Sequence, residues 1–133
     1  MDIPFEGRAT PSIDRITYVN FVECLLAAVP ETACVIEDED PYFEGDLLLH
    51  PLMSALRRFA TQSFHGQHRD VLDRLLAFVD SALTSGNYAV NNAVCVSFIE
   101  HAGDDTRETS EFIGQWPKSM LEERDRQLNW RPR

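Results

Sequence analysis

Apolar residues recur along this chain with a helical period. Tyr18, Val22, Leu25 and Val29 stand at i, i+4, i+7 and i+11, with Thr17 placed to cap the start and Pro30 just past the end, so the spacing predicts a helix over 18–29. A short helical turn over 33–37 follows, and the chain then breaks at Asp40-Pro41 and at Glu44-Gly45. Leu49, Leu52, Met53, Leu56, Phe59 and Ala60 form the stripe of a second long helix over 47–63, with Arg57 and Arg58 in its C-terminal half where they suit the helix dipole. Pro51 falls in its first turns, and Gly66 ends the segment.

The third long helix is expected over 68–84 on Val71, Leu75, Phe78, Val79 and Ala82, with Gly86 as the residue just beyond it and Asn87 capping the next. From Tyr88 to His101 the apolar residues Val90, Ala93, Val94, Cys95, Val96, Phe98 and Ile99 occupy most of the circumference, which predicts a helix buried on several sides. No second strand-like segment exists to pair with the β-branched run there, so a strand is rejected. Gly103 closes this helix, a short one follows over 107–113, and Pro117 opens a last helix to about Leu128. The reading is an all-α domain: an irregular arm over 1–15, then a single-domain bundle of five to six helices over 16–130 around a central apolar helix at 88–101.

Charge changes the picture more than composition does. The 133 residues carry 22 Asp and Glu against 12 Lys and Arg, a formal net charge of −10, which disfavours direct contact with a nucleic-acid backbone and makes a basic partner the natural complement. The acids are unevenly placed. Between Ile16 and Leu56 there is no Lys or Arg, yet Glu23, Glu31, Glu37, Asp38, Glu39, Asp40, Glu44 and Asp46 all lie there; a second base-free interval, from Leu75 to Thr106, ends in Asp104 and Asp105. No apolar run approaches the length needed to span a membrane. No secretory leader is recognisable, and the three cysteines, Cys24, Cys34 and Cys95, sit in or beside apolar stretches as reduced thiols do, so a cytoplasmic protein is expected.

Candidate chemistry is sparse. His65-Gly66-Gln67-His68 has a chelating spacing but no adjacent acid, and the stretch Asp38 to Asp46 fails as a calcium loop because Phe43 stands where the turn glycine belongs and Leu49 where the bidentate Glu belongs. Phosphate-cradling loops, nucleophile elbows and zinc motifs are missing, so no metal, no cofactor and no enzymatic activity is expected; an enzyme using Glu100 of the apolar helix with a histidine is the weakest of the readings. Tyr42 and Phe43 lie inside the acidic stretch, and Trp116 and Trp130 lie outside the long stripes, where aromatic residues can serve as interface anchors; the competing reading has Phe43 and Trp116 folding back to seal the edge of the core.

Taken with the segments Tyr18-Val19-Asn20-Phe21-Val22 and Leu48-Leu49-His50-Pro51-Leu52-Met53, the run Val94-Cys95-Val96-Ser97-Phe98-Ile99-Glu100 resembles small acidic all-helical bacterial domains, and with its size, its charge and its lack of catalytic motifs the chain is similar to the immunity proteins that accompany polymorphic or contact-dependent toxins. The resemblance spans about residues 16–128 and implies a protein that covers the basic active-site surface of a cognate toxin domain. The expected contacts are Glu37, Asp38, Glu39, Asp40, Tyr42, Glu44 and Asp46, then Asp104, Asp105 and Trp116. The competing expectation is a non-enzymatic adaptor that self-associates through apolar helix faces.

Overall fold

A computed structural model describes residues 15–130; the arm expected over 1–15 lies almost wholly outside the described residues. Seven α-helices succeed one another: α1 (Phe21–Ala28), α2 (Ala33–Glu39), α3 (Leu49–His65), α4 (Arg69–Ser85), α5 (Tyr88–Ala93), α6 (Ser110–Ile113) and α7 (Lys118–Asn129). A single 3₁₀ turn, Pro30–Thr32, joins α1 to α2. The all-α expectation holds, with seven α-helices among the described residues where five to six were expected, and with a small addition: β1 (Tyr42–Phe43) and β2 (Asp46–Leu47) pair antiparallel as a hairpin between α2 and α3.

The core draws one stripe from each long helix. Phe21 and Leu25 of α1, Leu52, Met53 and Leu56 of α3, Leu72, Leu75 and Val79 of α4, and Phe112 and Met120 near the C-terminus are all fully enclosed. Burying a side chain of this size stabilises the fold by about 1.5–3 kcal/mol relative to leaving it in water. Aromatic edges tie the stripes together, Phe21 against Phe78 with ring centroids 5.4 Å apart and Phe64 against Phe112 at 5.7 Å.

The helix expected at the centre is there, but it changes form. After α5 the chain continues as a π-helical segment over Val94–Glu100, with Val94, Phe98 and Ile99 buried. This segment packs most extensively against α3 and also touches α4 and α7. The wider turn of a π-helix disturbs the regular backbone ladder, and neighbouring side chains take up two of its carbonyls. Arg57 donates through Nη1 to the Ser97 carbonyl at 2.7 Å, and Gln127 donates through Nε2 to the Cys95 carbonyl at 3.1 Å.

Asn87 caps α5 as expected, its Oδ1 accepting from the Val90 amide at 3.1 Å, and Gly103 adopts the left-handed conformation at φ 96°. Gly86 does not: its φ is −74° and ψ 161°. Glycine is required there by space, because a Cβ would lie 2.3 Å from the Ala82 carbonyl oxygen and 2.8 Å from Val90 Cγ1. At the end of α3 the left-handed residue is Gln67, at φ 62°, rather than Gly66. Thr17 acts one turn ahead of α1, where its Oγ1 accepts from the Asn20 amide and Asn20 Oδ1 accepts from the Thr17 amide at 2.7 Å.

Candidate functional site

The acidic stretch becomes a short helix followed by a hairpin. Asp40 ends α2 in the left-handed conformation at φ 44°, its amide donating to the Ile36 carbonyl at 2.9 Å, and Pro41 then turns the chain into β1. Glu44 and Gly45, at φ 52° and 88°, make the two-residue connection between the strands. Positive φ at both positions is the signature of a type I′ turn, whose twist matches that of paired strands. Leu48 closes the base by donating its amide to the Pro41 carbonyl at 2.7 Å. Pairing Tyr42 with Leu47 and Phe43 with Asp46 puts each pair on one face. Leu47 packs on the core, so Tyr42 lies on the domain side and Phe43 points away, 63% exposed.

All the expected acidic contacts on this element are exposed: Glu37, Asp38, Glu39, Asp40, Glu44 and Asp46. Their surroundings differ. Glu39 is paired with Arg58 of α3 at 3.2 Å, an exposed contact of the kind worth at most about 1 kcal/mol. Asp46 accepts from the Tyr18 hydroxyl at 3.3 Å, which ties the hairpin to the start of the domain. Glu37, Asp38, Asp40 and Glu44 have no ion-pair or hydrogen-bond partner for their carboxylates among the described residues. Glu31, at the other end of this stretch, is neutralised internally: Arg74 grips it bidentately at 2.9 and 2.7 Å and also holds Asp70. Those hydrogen bonds from Arg74 hold the Glu31 carboxyl at about 2, against its ordinary 4.5.

Asp104 and Asp105 belong to a different loop, after the π-segment, and each is engaged locally. Asp104 faces His101 at 3.0 Å, and Asp105 accepts from the Arg107 amide at 2.8 Å. Trp116, expected among the contacts, is buried instead. Only 3% of it is exposed, because its indole fills the space between Phe98 and Phe112, at 5.6 and 6.1 Å between ring centroids. It seals the core and offers nothing to a partner.

The sequence reading missed a polar network around the π-segment. Arg57 donates from Nε to Glu108 at 2.8 Å, and the side chains are 11% and 1% exposed. The other Glu108 oxygen accepts from the Gly103 amide at 2.8 Å, and His50 Nδ1 shares a 2.7 Å hydrogen bond with Ser97 Oγ. The signal was present but attributed to the helix dipole: Arg57 stands four residues after Met53 and three before Ala60, inside the apolar stripe, so its charge must be buried and answered. Ser97 is itself buried, and the network is best accounted for as the clamp that holds the π-segment and the loop after it.

Among the described residues no group of three or more His, Cys, Asp or Glu side chains could hold a metal ion, and no helix is long and apolar enough to cross a membrane. Burial pushes the Cys95 thiol up to about 11, helped by the neighbouring Glu123 carboxylate, which keeps it protonated and unreactive. A family described as a domain of unknown function, DUF7674, matches residues 22–131. The chain belongs to that family. The match begins in α1 and takes in every later helix, so α2, the hairpin and the Arg57–Glu108 clamp are all parts of a DUF7674 domain. No curated protein and no solved structure matches the chain.

Proposed function

We propose that this DUF7674 domain is an immunity-type protein of the bacterial cytoplasm, which binds a cognate toxin domain and covers its basic active-site surface without catalysing a reaction. One observation carries the reading: Glu37, Asp38, Asp40 and Glu44 stand exposed on α2 and the hairpin tip with no partner among the described residues, within a stretch devoid of Lys and Arg. Such a face is complementary to a cleft built for phosphates, and steering of this kind raises association rates by about 10- to 1,000-fold at low salt. Three free thiols suit a reducing compartment.

The test begins with the open reading frame immediately upstream of the gene. Its product, expressed alone, should arrest growth, and co-expression of this chain should restore it. With that toxin domain purified, replacing Asp38, Glu39 and Asp40 by Asn, Gln and Asn should slow association roughly tenfold in about 0.01 M salt, where charges are screened over about 30 Å, and hardly at all in 1 M salt, where they are screened over about 3 Å. Equal association rates for parent and variant at both salt concentrations would remove this face from the interface.

The adaptor reading rests on a separate observation, the exposure of Val19 at 88% and Tyr88 at 81%. A dimer in light scattering that persists in 1 M salt and is abolished by Tyr88→Ser would favour it.

A further inference from the structure

The hairpin exposes an aromatic side chain, Phe43, in the middle of the acidic face. Phe43 shares the outward face of the hairpin with Asp46, directly across the strands, while Tyr42 and Leu47 occupy the opposite face, where Leu47 packs on the core. The tip is held firmly. The Glu44-Gly45 turn closes the strands, the Leu48 amide donates to Pro41, the Tyr42 amide donates to the Asp40 carbonyl at 2.7 Å, and the Tyr18 hydroxyl donates to Asp46. A backbone held in this way has little freedom left to lose when the side chain it carries is captured, which lowers one of the costs of association.

Charge decides what captures it. A second copy of this chain would set one base-free acidic stretch against another, and a nucleic acid or an anionic lipid surface would be repelled in the same way. The remaining occupant is a protein with an apolar pocket inside a cationic rim, in which Phe43 fills the pocket and Asp40, Glu44 and Asp46 meet the rim.

We infer that Phe43 is the anchor of this interface, the residue that sets how long the complex lasts, while the surrounding carboxylates set how fast it forms. This rests on the acidic face being the docking face, as proposed above. Interfaces divide in this way when a desolvated aromatic centre is ringed by exposed charge.

The probe is the purified toxin domain from the co-expression experiment, carrying an inactivated active site and immobilised for kinetic measurement. Phe43→Ala should raise the dissociation rate by about 30-fold or more, the effect of losing a hot-spot side chain, with the association rate and its salt dependence within about twofold of the parent. Phe43→Tyr should restore a dissociation rate near the parent's. Thermal midpoints of Phe43→Ala and of Phe43→Thr, which keeps a strand-forming residue in β1, establish that the hairpin survives, as its solvent exposure leads us to expect. Should Phe43→Ala and Phe43→Thr dissociate at the parent's rate while the Asp38, Glu39 and Asp40 variant associates slowly, the anchor is wrong and the acidic face stands. If none of these variants alters either rate, both fall together.

Discussion

Glu108→Ala should be among the most destabilising single substitutions in the molecule. Glu108 is nearly enclosed, and one of its oxygens faces Arg57 at 2.8 Å while the other accepts from the Gly103 amide at 2.8 Å. Removing the carboxylate strands a guanidinium whose side chain is only 11% exposed, and breaking a buried pair in this way costs about 3–5 kcal/mol. The orphaned amide costs about 1–3 kcal/mol by itself, but the two overlap because the loop can yield to water, so the working figure is about 4 kcal/mol. Against a total stability of about 5–15 kcal/mol this is large, and it corresponds to a fall in melting temperature of roughly 15 °C for a chain of this size. Urea unfolding followed by circular dichroism gives the free-energy difference directly if the slope is unchanged. Asp73→Ala is the control, since its partner Arg69 and it are 62% and 60% exposed and their contact is worth less than about 1 kcal/mol. Replacing Arg57 and Glu108 together by Met should recover part of the loss, because no charge is then left unanswered, while the Gly103 amide and the Ser97 carbonyl still lose their partners. A loss below about 1 kcal/mol for Glu108→Ala would show that the pair does not hold the loop.

Gly86→Ala should destabilise by about 1–3 kcal/mol, because the added methyl would stand 2.3 Å from the Ala82 carbonyl and 2.8 Å from Val90 Cγ1, and either α4 or α5 must give way; an unchanged urea midpoint would refute it. The Glu31 carboxyl should titrate near pH 2 by carbon NMR and return towards 4.5 in Arg74→Met. Since the unfolded chain takes up that proton more readily than the folded one, the stabilisation is present in full above about pH 4.5 and is lost as the pH falls from there towards 2.

The helices were legible because each long one carries a stripe at helical spacing and is punctuated by residues with a physical reason to stop it: Pro30, Gly103 and Pro117 all end or begin elements where expected. The hairpin was not. Strands of two residues are too short to show alternation, and its turn uses Glu-Gly where Asn-Gly or Asp-Gly would have announced it. The π-segment escaped because the side chains that answer its carbonyls come from far along the chain, Arg57 from 40 residues before Ser97 and Gln127 from 32 after Cys95. Trp116 was open to both the interface and the core-sealing reading for a related reason: its position between two short helices hid the fact that Phe98 and Phe112 would converge on it. The acidic residues were locatable, but which of them would be answered internally depended on Arg58 and Arg74 arriving from other helices.

The π-segment has a bearing on how sequences of this family are to be aligned. A π turn accommodates one residue more than an α turn, so everything after Val94 is rotated as though a residue had been inserted into a regular helix. A relative whose helix is α throughout must be one residue shorter between the counterparts of Asn87 and Gly103, or else carry its equivalents of Phe98 and Ile99 out into water. The length of that interval, counted from sequence together with the placing of its apolar residues, therefore tells members that share the widened turn from those that do not.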